Sequence, residues 1–189
     1  MQSIIQEIWL PILGHEGYEV SNLGRVRSLD RWVEGGNGRR FYKGKILRPG
    51  LDSDGYNYVI LPSNKPRKVH RLVGFAFLGL TKDQHIDHAD GNRTNNLLSN
   101  LRVCSNLQNH WNMKMLKANT SGFKGVCWSK YHGKWKAAIK FNGKTIFRGY
   151  FDTAEEAARA YDDAALRLFG QFAKTNKSLR LMPTEAIQT

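Results

Sequence analysis

The sequence predicts an α+β protein in three parts: a small β-rich module, a strand–strand–helix core, and a three-stranded antiparallel sheet packed on one helix. Three observations carry this. Short period-2 runs punctuated by Gly and Asn turns recur between residues 18 and 61 and again between 125 and 151, which is strand patterning. Helical signals are few: an apolar run at 69–78, a cap at Ser105, and a capped, alanine-rich run from Thr153. Between them, residues 85–112 (HIDHADGNRTNNLLSNLRVCSNLQNHWN) gather an Asp-His pair and a series of asparagines that a core alone does not need.

Composition narrows the function classes. The chain has 189 residues, enough for one domain or two small ones, and a formal net charge of +13. With a pI of about 9.9, that field points to a polyanionic partner, nucleic acid before membrane. No run approaches the roughly 18 apolar residues of a membrane span. The start, MQSIIQEIWLPILG, lacks a basic n-region and carries Glu7, so it does not read as a signal peptide. Cys104 and Cys127 lie in unrelated segments and make neither a zinc set nor a disulfide framework, as suits buried thiols in a reducing cytosol.

Taken in order, Tyr18–Val20 and Arg25–Leu29 alternate as two strands around the turn 21–24, with Arg25 and Arg27 on one face and Val26 on the other. Residues 34–40 (EGGNGRR) read as a flexible hairpin tip. Lys45–Arg48 and Tyr56–Leu61 are strands around the Asp54-Gly55 turn. Val69–Leu78 is a short apolar helix whose Leu72, Phe75 and Leu78 should be core, with His70 a packed structural histidine. Asp90-Gly91 turns between two strands, the second at Leu101–Cys104. Ser105 with Gln108 then opens a helix, placing Asn109 in its first turns.

An isolated Asp-His pair is more often a surface hydrogen bond, and asparagine-rich stretches are more often turns. Four residues in a fixed order are harder to dismiss: Asp87-His88, Asn100, Asn109. Cleaving a phosphodiester needs a nucleophile, stabilisation of the charge growing on the phosphate, and help for the departing oxygen. A histidine can take a proton from water near neutral pH, and a carboxylate with an amide oxygen suits magnesium better than zinc. The order and the phrases GNRTNN, SNLR and QN resemble the ββα-metal nucleases of the HNH class, more narrowly phage and intron-encoded homing endonucleases, in the variant whose last histidine is an asparagine. The resemblance implies His88 as general base, Asp87 and Asn109 as ligands of a single Mg2+ or Mn2+, and Asn100 as the residue that holds the histidine and its loop. His85 and His110 flank the motif, His110 as a candidate phosphate contact.

Two further resemblances flank it. EIWLPILGHEGYEVSNLGRVRSLDRW resembles the nuclease-associated modular motif (NUMOD type), with Arg25 and Arg27 as phosphate contacts. SGFKGVCWSKYHGKWKAAIKFNGKTIFRGYFDTAEEAARAYDDAALRLFGQFAKTN resembles the plant ethylene-response-factor type of DNA-binding domain. The residues agree with that fold: strands at 125–130, 134–141 and 144–151, an Asn142-Gly143 hairpin turn, a Thr153/Glu156 capping box, an alanine stripe and a stop at Gly170. Lys134, Lys136 and Lys140 share one side of the middle strand, and Trp135, Ala137, Ile139 and Phe141 the other. By the resemblance Lys124, Trp128, Lys130, Lys136, Thr145 and Phe147 face DNA, joined by Lys140 from the alternation. Where the plant domains read guanine with arginines, this chain mostly has Lys, Cys, Trp or Thr, and Arg148 replaces a usually apolar residue. Base preference therefore does not transfer.

The expectation is a site-specific HNH endonuclease acting on double-stranded DNA, a monomer with no protein or membrane partner, in the cytoplasm of a bacterial host. Its parts are a NUMOD-type module (1–50), the nuclease core (51–113), a basic linker with Lys114 and Lys117 (114–121), the ethylene-response-factor-like domain (122–177) and a tail (178–189). The rivals are a transcription regulator that keeps the core without cutting, and a structure-specific or nonspecific nuclease, which would lack a specificity ratio.

Overall fold

A computed structural model describes residues 6–36, 38–62, 65–112, 119–141 and 143–182. Most of the expected linker, the first residue of the Asn142-Gly143 turn and the end of the tail lie outside these residues, as does the side chain of His110. The chain divides into two compact units, Met1–Asn106 and Leu107–Thr189.

In the first unit, β1 (Trp9–Pro11), β2 (Tyr18–Ser21) and β3 (Val26–Ser28) form an antiparallel meander. The chain then leaves as a two-stranded ribbon, β4 (Arg31–Gly35) and β5 (Gly38–Tyr42), and returns as β6 (Lys45–Ile46) on the edge of β3. The loose tip expected at 34–40 is thus mostly paired strand, laddered from Arg31↔Tyr42 to Gly35↔Gly38. β7 (Gly50–Leu51), β8 (Asn57–Ile60) and β9 (Pro66–Lys68) make a second small sheet. Helix α1 (Val69–Phe77) leads to the antiparallel pair β10 (His85–His88) and β11 (Leu101–Cys104).

One core joins these pieces. Val20 (0%), Val59 (3%), Leu61 (2%), Val69 (1%) and Val73 (0%) exclude water almost completely. Each contributes about 1.5–3 kcal/mol by leaving it. Val20 and Val26 face each other across β2 and β3, so strand alternation turns Arg27 outward. On α1 the buried stripe is Val69, Leu72 and Val73; of the expected Leu72, Phe75 and Leu78, Leu72 is core and Leu78 packs partly buried against it, while Phe75 does not. Phe75 is 42% exposed, beneath the Arg71 guanidinium, because the helix phase is set by residue 69. Gly74 lets the helix lie directly on β10: a Cβ there would meet Ile86 Cδ1 at 2.8 Å. That contact positions the strand carrying Asp87 and His88.

The second unit contains α2 (Asn106–Trp111) from its second residue onward, then β12 (Val126–Ser129), β13 (Lys134–Phe141) and β14 (Lys144–Phe151) as one antiparallel sheet. Helix α3 (Ala154–Phe169) lies on that sheet and opens on a full capping box: Thr153 Oγ1 accepts from Glu156 N, and Glu156 Oε2 accepts from Thr153 N, both at 3.2 Å. Ala157, Ala158, Ala164 and Ala165 are buried, so small side chains let helix and sheet approach closely. Trp111 stacks on Phe169 at 4.5 Å and tilts against Phe141.

Asn176, fully buried, closes this unit. Its Oδ1 accepts from Lys124 N (2.6 Å), and its Nδ2 donates to Lys124 O (3.2 Å) and Asp162 Oδ1 (2.8 Å). Asn176→Ala leaves these groups without that amide, at about 1–3 kcal/mol for each buried group left unpaired. Calorimetry should show the melting of the second unit shifted down by several degrees while that of the first unit stays.

Candidate active site

Asp87 and His88 end β10, and both are buried. Asp87 sits opposite Arg102 on β11, and its Oδ2 accepts from Arg102 Nε (2.7 Å) and Nη2 (2.6 Å). A buried carboxylate needs a partner of this kind, and the guanidinium supplies two hydrogen bonds to it.

His88 Nε2 lies 3.2 Å from Asn96 Oδ1. The orientation of that amide follows from its other end: Asn96 Nδ2 donates to Thr94 O at 3.2 Å, and a carbonyl can only accept. The amide oxygen therefore faces the imidazole, so the proton belongs on Nε2 and the lone pair on Nδ1, an assignment from the hydrogen-bond network. Burial is the largest influence on His88 and lowers its pKa, against the opposing pull of Asn96, Asp90 and Asp87. The ring is neutral near pH 7, the state a general base needs.

The loop between β10 and β11 is tied by its own asparagines. Gly91 N donates to His88 O at 2.8 Å, closing the expected turn. Asn100 Nδ2 donates to Asp90 Oδ1 (3.0 Å) and Asn95 O (2.8 Å), and Asn100 Oδ1 accepts from Asp90 N (3.0 Å). Burial works to raise the pKa of Asp90, but hydrogen bonds from Asn92, Asn95 and Asn100 outweigh it and hold the carboxyl below its ordinary range. Asn100 thus clasps the loop, while Asn96 meets the histidine.

The first-module turn presses on the same loop. Leu98 N donates to Asn22 O at 2.8 Å, and a Cβ on Gly24 (φ +74°) would strike Asn96 Cβ at 2.7 Å. Sequence reasoning missed Asn96, and it missed the wall behind His88. His70 packs edge-on to His88 at 5.2 Å between ring centroids, and Tyr56 tilts against both. Lys68 and Arg93 lie over Tyr56 at 4.3 and 4.9 Å. These residues come from distant segments, and no local signal joins them.

As to a metal, the described residues hold no cluster of three His, Cys, Asp or Glu side chains. Cys104, whose thiol burial pushes up to about 11, is not a thiolate ligand. The oxygen donors proposed from sequence, the Asp87 carboxylate and the Asn109 amide, fit a hard cation such as magnesium. Asn109 is half-buried on α2, counted with the second unit.

The other candidates fare unevenly. Arg25 and Arg27 share a face as expected, but Arg25 is ion-paired with Glu7 and Arg27 with Glu19 (2.6 Å), and both lie over Trp9. In the second unit, Lys136 pairs across the sheet with Cys127 and Tyr150, and Lys140 with Thr145. Lys130, Lys140 and Thr145 are exposed and Lys136 is partly so. Trp128 and Phe147 instead share the helix side, opposite Trp135 and Ile139, with Phe147 packed on the core. Lys124 is drawn inward: its Nζ donates to Trp111 O at 3.3 Å, and burial lowers its pKa to about 8.

This site and its loop carry a family signature. Residues 67–111 match the HNH endonuclease family, and residues 7–61 match the NUMOD4 motif. The chain belongs to the HNH endonucleases, of the phage and homing type. It is 41% identical over 95 residues to Protein 3.8 of Escherichia phage T7, covering 50% of this chain and 78% of that one. To DNA endonuclease I-HmuI of Bacillus phage SP01 it is 38% identical over 99 residues, 50% of each chain. A solved structure of DNA binding and cleavage by I-HmuI aligns over 52% of each chain at 36% identity, with a TM-score of 0.40. Ethylene-responsive transcription factor ERN3 of Medicago truncatula is 47% identical over 73 residues, 38% of this chain and 30% of that one. The chain thus spans about half the length of I-HmuI. Among the described residues no helix is long and apolar enough to cross a membrane.

The buried histidines make stability depend on pH. Burial, aided by His88, takes His70 from 6.5 to about 3, and His88 moves the same way. Between the two values the unfolded chain holds more protons than the folded one. Stability is therefore full above about pH 6.5 and is lost as pH falls, at up to about 1.4 kcal/mol per unit for each group. His70 Nδ1 has no hydrogen-bond partner among the described residues. His70→Phe, which keeps a ring there, should flatten the slope of urea-melt stability between neutral pH and about pH 5.

Proposed function

We propose that the chain hydrolyses a phosphodiester of double-stranded DNA at a preferred site, with His88 as general base and one divalent cation held by Asp87 and Asn109. The single observation that carries this reading is the pinned imidazole: buried, neutral, and fixed through Nε2 by Asn96 beside a charge-paired carboxylate.

His88 receives the proton of the attacking water on Nδ1, and the Nε2–H held by Asn96 steadies the imidazolium that results. Arg102 pairs with the Asp87 carboxylate and aims it. Asn100 holds the loop that follows the base by its bonds to Asp90. A bound magnesium or manganese ion supplies neutralisation of the charge growing on the phosphate and the leaving oxygen. In this reading β10, β11 and α2 form the ββα-metal core, residues 1–50 and 122–177 are the flanking DNA-binding parts, and 114–121 tethers them. The second of these parts is ethylene-response-factor-like, and its open sheet face presents Lys130, Lys136, Lys140 and Thr145 to DNA. The enzyme acts as a monomer in the host cytoplasm.

A nicking assay on supercoiled DNA from related phages tests this, with wild type and His88→Ala, in magnesium and in chelator. Cutting at a discrete position should require the metal and fall at least about 1000-fold in His88→Ala, with DNA binding nearly intact. Binding without cutting in any divalent metal makes the chain a regulator instead.

A further inference from the structure

Helix α2 has only six residues. Isolated helices shorter than roughly 12–15 residues are marginal in water, so something outside α2 must fasten it. Its last residue shows what does. Trp111 lies flat on Phe169, the final residue of α3, with ring centroids 4.5 Å apart and planes at 16°. It also tilts against Phe141, the final residue of β13, at 6.0 Å. Both separations are those at which aromatic rings attract one another. The Trp111 carbonyl is one of those that a helix leaves without an internal partner at its C-terminus, and it accepts from Lys124 Nζ at 3.3 Å. An ammonium there also complements the negative end of the helix. Asn112, just beyond, is buried. Trp111, Lys124, Phe141 and Phe169 all belong to the second unit. Lys124, expected on DNA from the sequence, is thus spent on holding α2.

We propose that Trp111 and Lys124 are positioning residues for Asn109, so that the second unit sets the place from which the Asn109 amide oxygen meets the cation. The proposal rests on the reading of Asn109 as a metal ligand. Asn109 precedes Trp111 by two positions, and residues 109 to 111 are all helical, so no flexible segment intervenes. At about 100° per residue the two side chains leave the helix roughly 200° apart. Seating the tryptophan on Phe169 therefore turns Asn109 to the opposite side of α2. A ligand is useful to a hard cation only when its oxygen is held at the right distance and angle, and the groups that orient it matter accordingly. The second unit thereby serves the chemistry as well as any binding of DNA.

The test measures metal binding apart from cutting. Full-length His88→Ala protein, chosen so that the DNA stays whole, is mixed with duplex DNA from related phages and titrated with Mn2+. Uptake is followed by loss of the free-ion EPR signal, and the same protein with Asp87→Ala gives the blank for ions held by DNA alone. Trp111→Ala should weaken Mn2+ binding about 10-fold, and Lys124→Met should weaken it in the same direction. Trp111→Phe, which keeps a ring on Phe169, should recover most of the loss, with DNA affinity unchanged throughout. Because Trp111 acts through Asn109, adding Trp111→Ala to Asn109→Ala should cost nothing further. Unchanged Mn2+ affinity in Trp111→Ala, or a further loss on top of Asn109→Ala, overturns the positioning role and leaves Asn109 as a ligand. Mn2+ binding that is as tight in Asn109→Ala as in the starting protein, or no uptake above the Asp87→Ala blank, removes the metal reading itself.

Discussion

The His88–Asn96 hydrogen bond is the constraint around which the first unit is arranged. It fixes the tautomer of a buried imidazole and ties the chemistry-bearing end of β10 to the loop that follows it. The amide of Asn96 is itself held by Thr94 O, and its backbone and Cβ are closely approached by Gly24. A glycine at positive φ in a turn far upstream therefore makes room for the residue that meets the proposed base. The β-rich start and the strand pair are parts of one packed unit, with Leu98 bound to Asn22 and α1 lying on β10 through Gly74.

Electrostatics inside that unit are divided by depth. Asp87 and Arg102 neutralise each other behind the histidine, and Tyr56, His70 and the surrounding apolar wall keep it dry enough to stay uncharged. Lys68 and Arg93 gather on Tyr56 and keep positive charge near the site. Such a layout suits a neutral base facing an anionic substrate.

What was legible in the sequence was local. The Thr153/Glu156 capping box, the Asp90-Gly91 turn and the alternation of β13 each depend on residues within a few positions, and the structure places all three where they were expected. Asn96 and Asn100 sit in near-identical polar surroundings, and only the folded loop decides which one reaches His88. Tyr56 and His70 come to the site through packing between segments, which spacing does not encode. On α1 only Phe75 departs from the expected core, because it is as hydrophobic as Val69, yet only Val69 is buried. In the β13–β14 pairing a register shift between Ile139 and Lys140 leaves Phe147 opposite Ile139, on the helix side. The glycines of 35–38 hid a ribbon whose cross-strand pairs become visible only once its strands are aligned.

If the pinned imidazole is the centre of the chemistry, its holder should matter nearly as much as the histidine. Single-turnover cutting by Asn96→Ala, at saturating DNA and magnesium, tests this most directly. The rate should fall about 10- to 100-fold, as for other residues that orient a catalytic group, with DNA affinity unchanged and part of the rate recovered in Asn96→Asp, which restores the acceptor. Cutting at the full wild-type rate in Asn96→Ala contradicts the account.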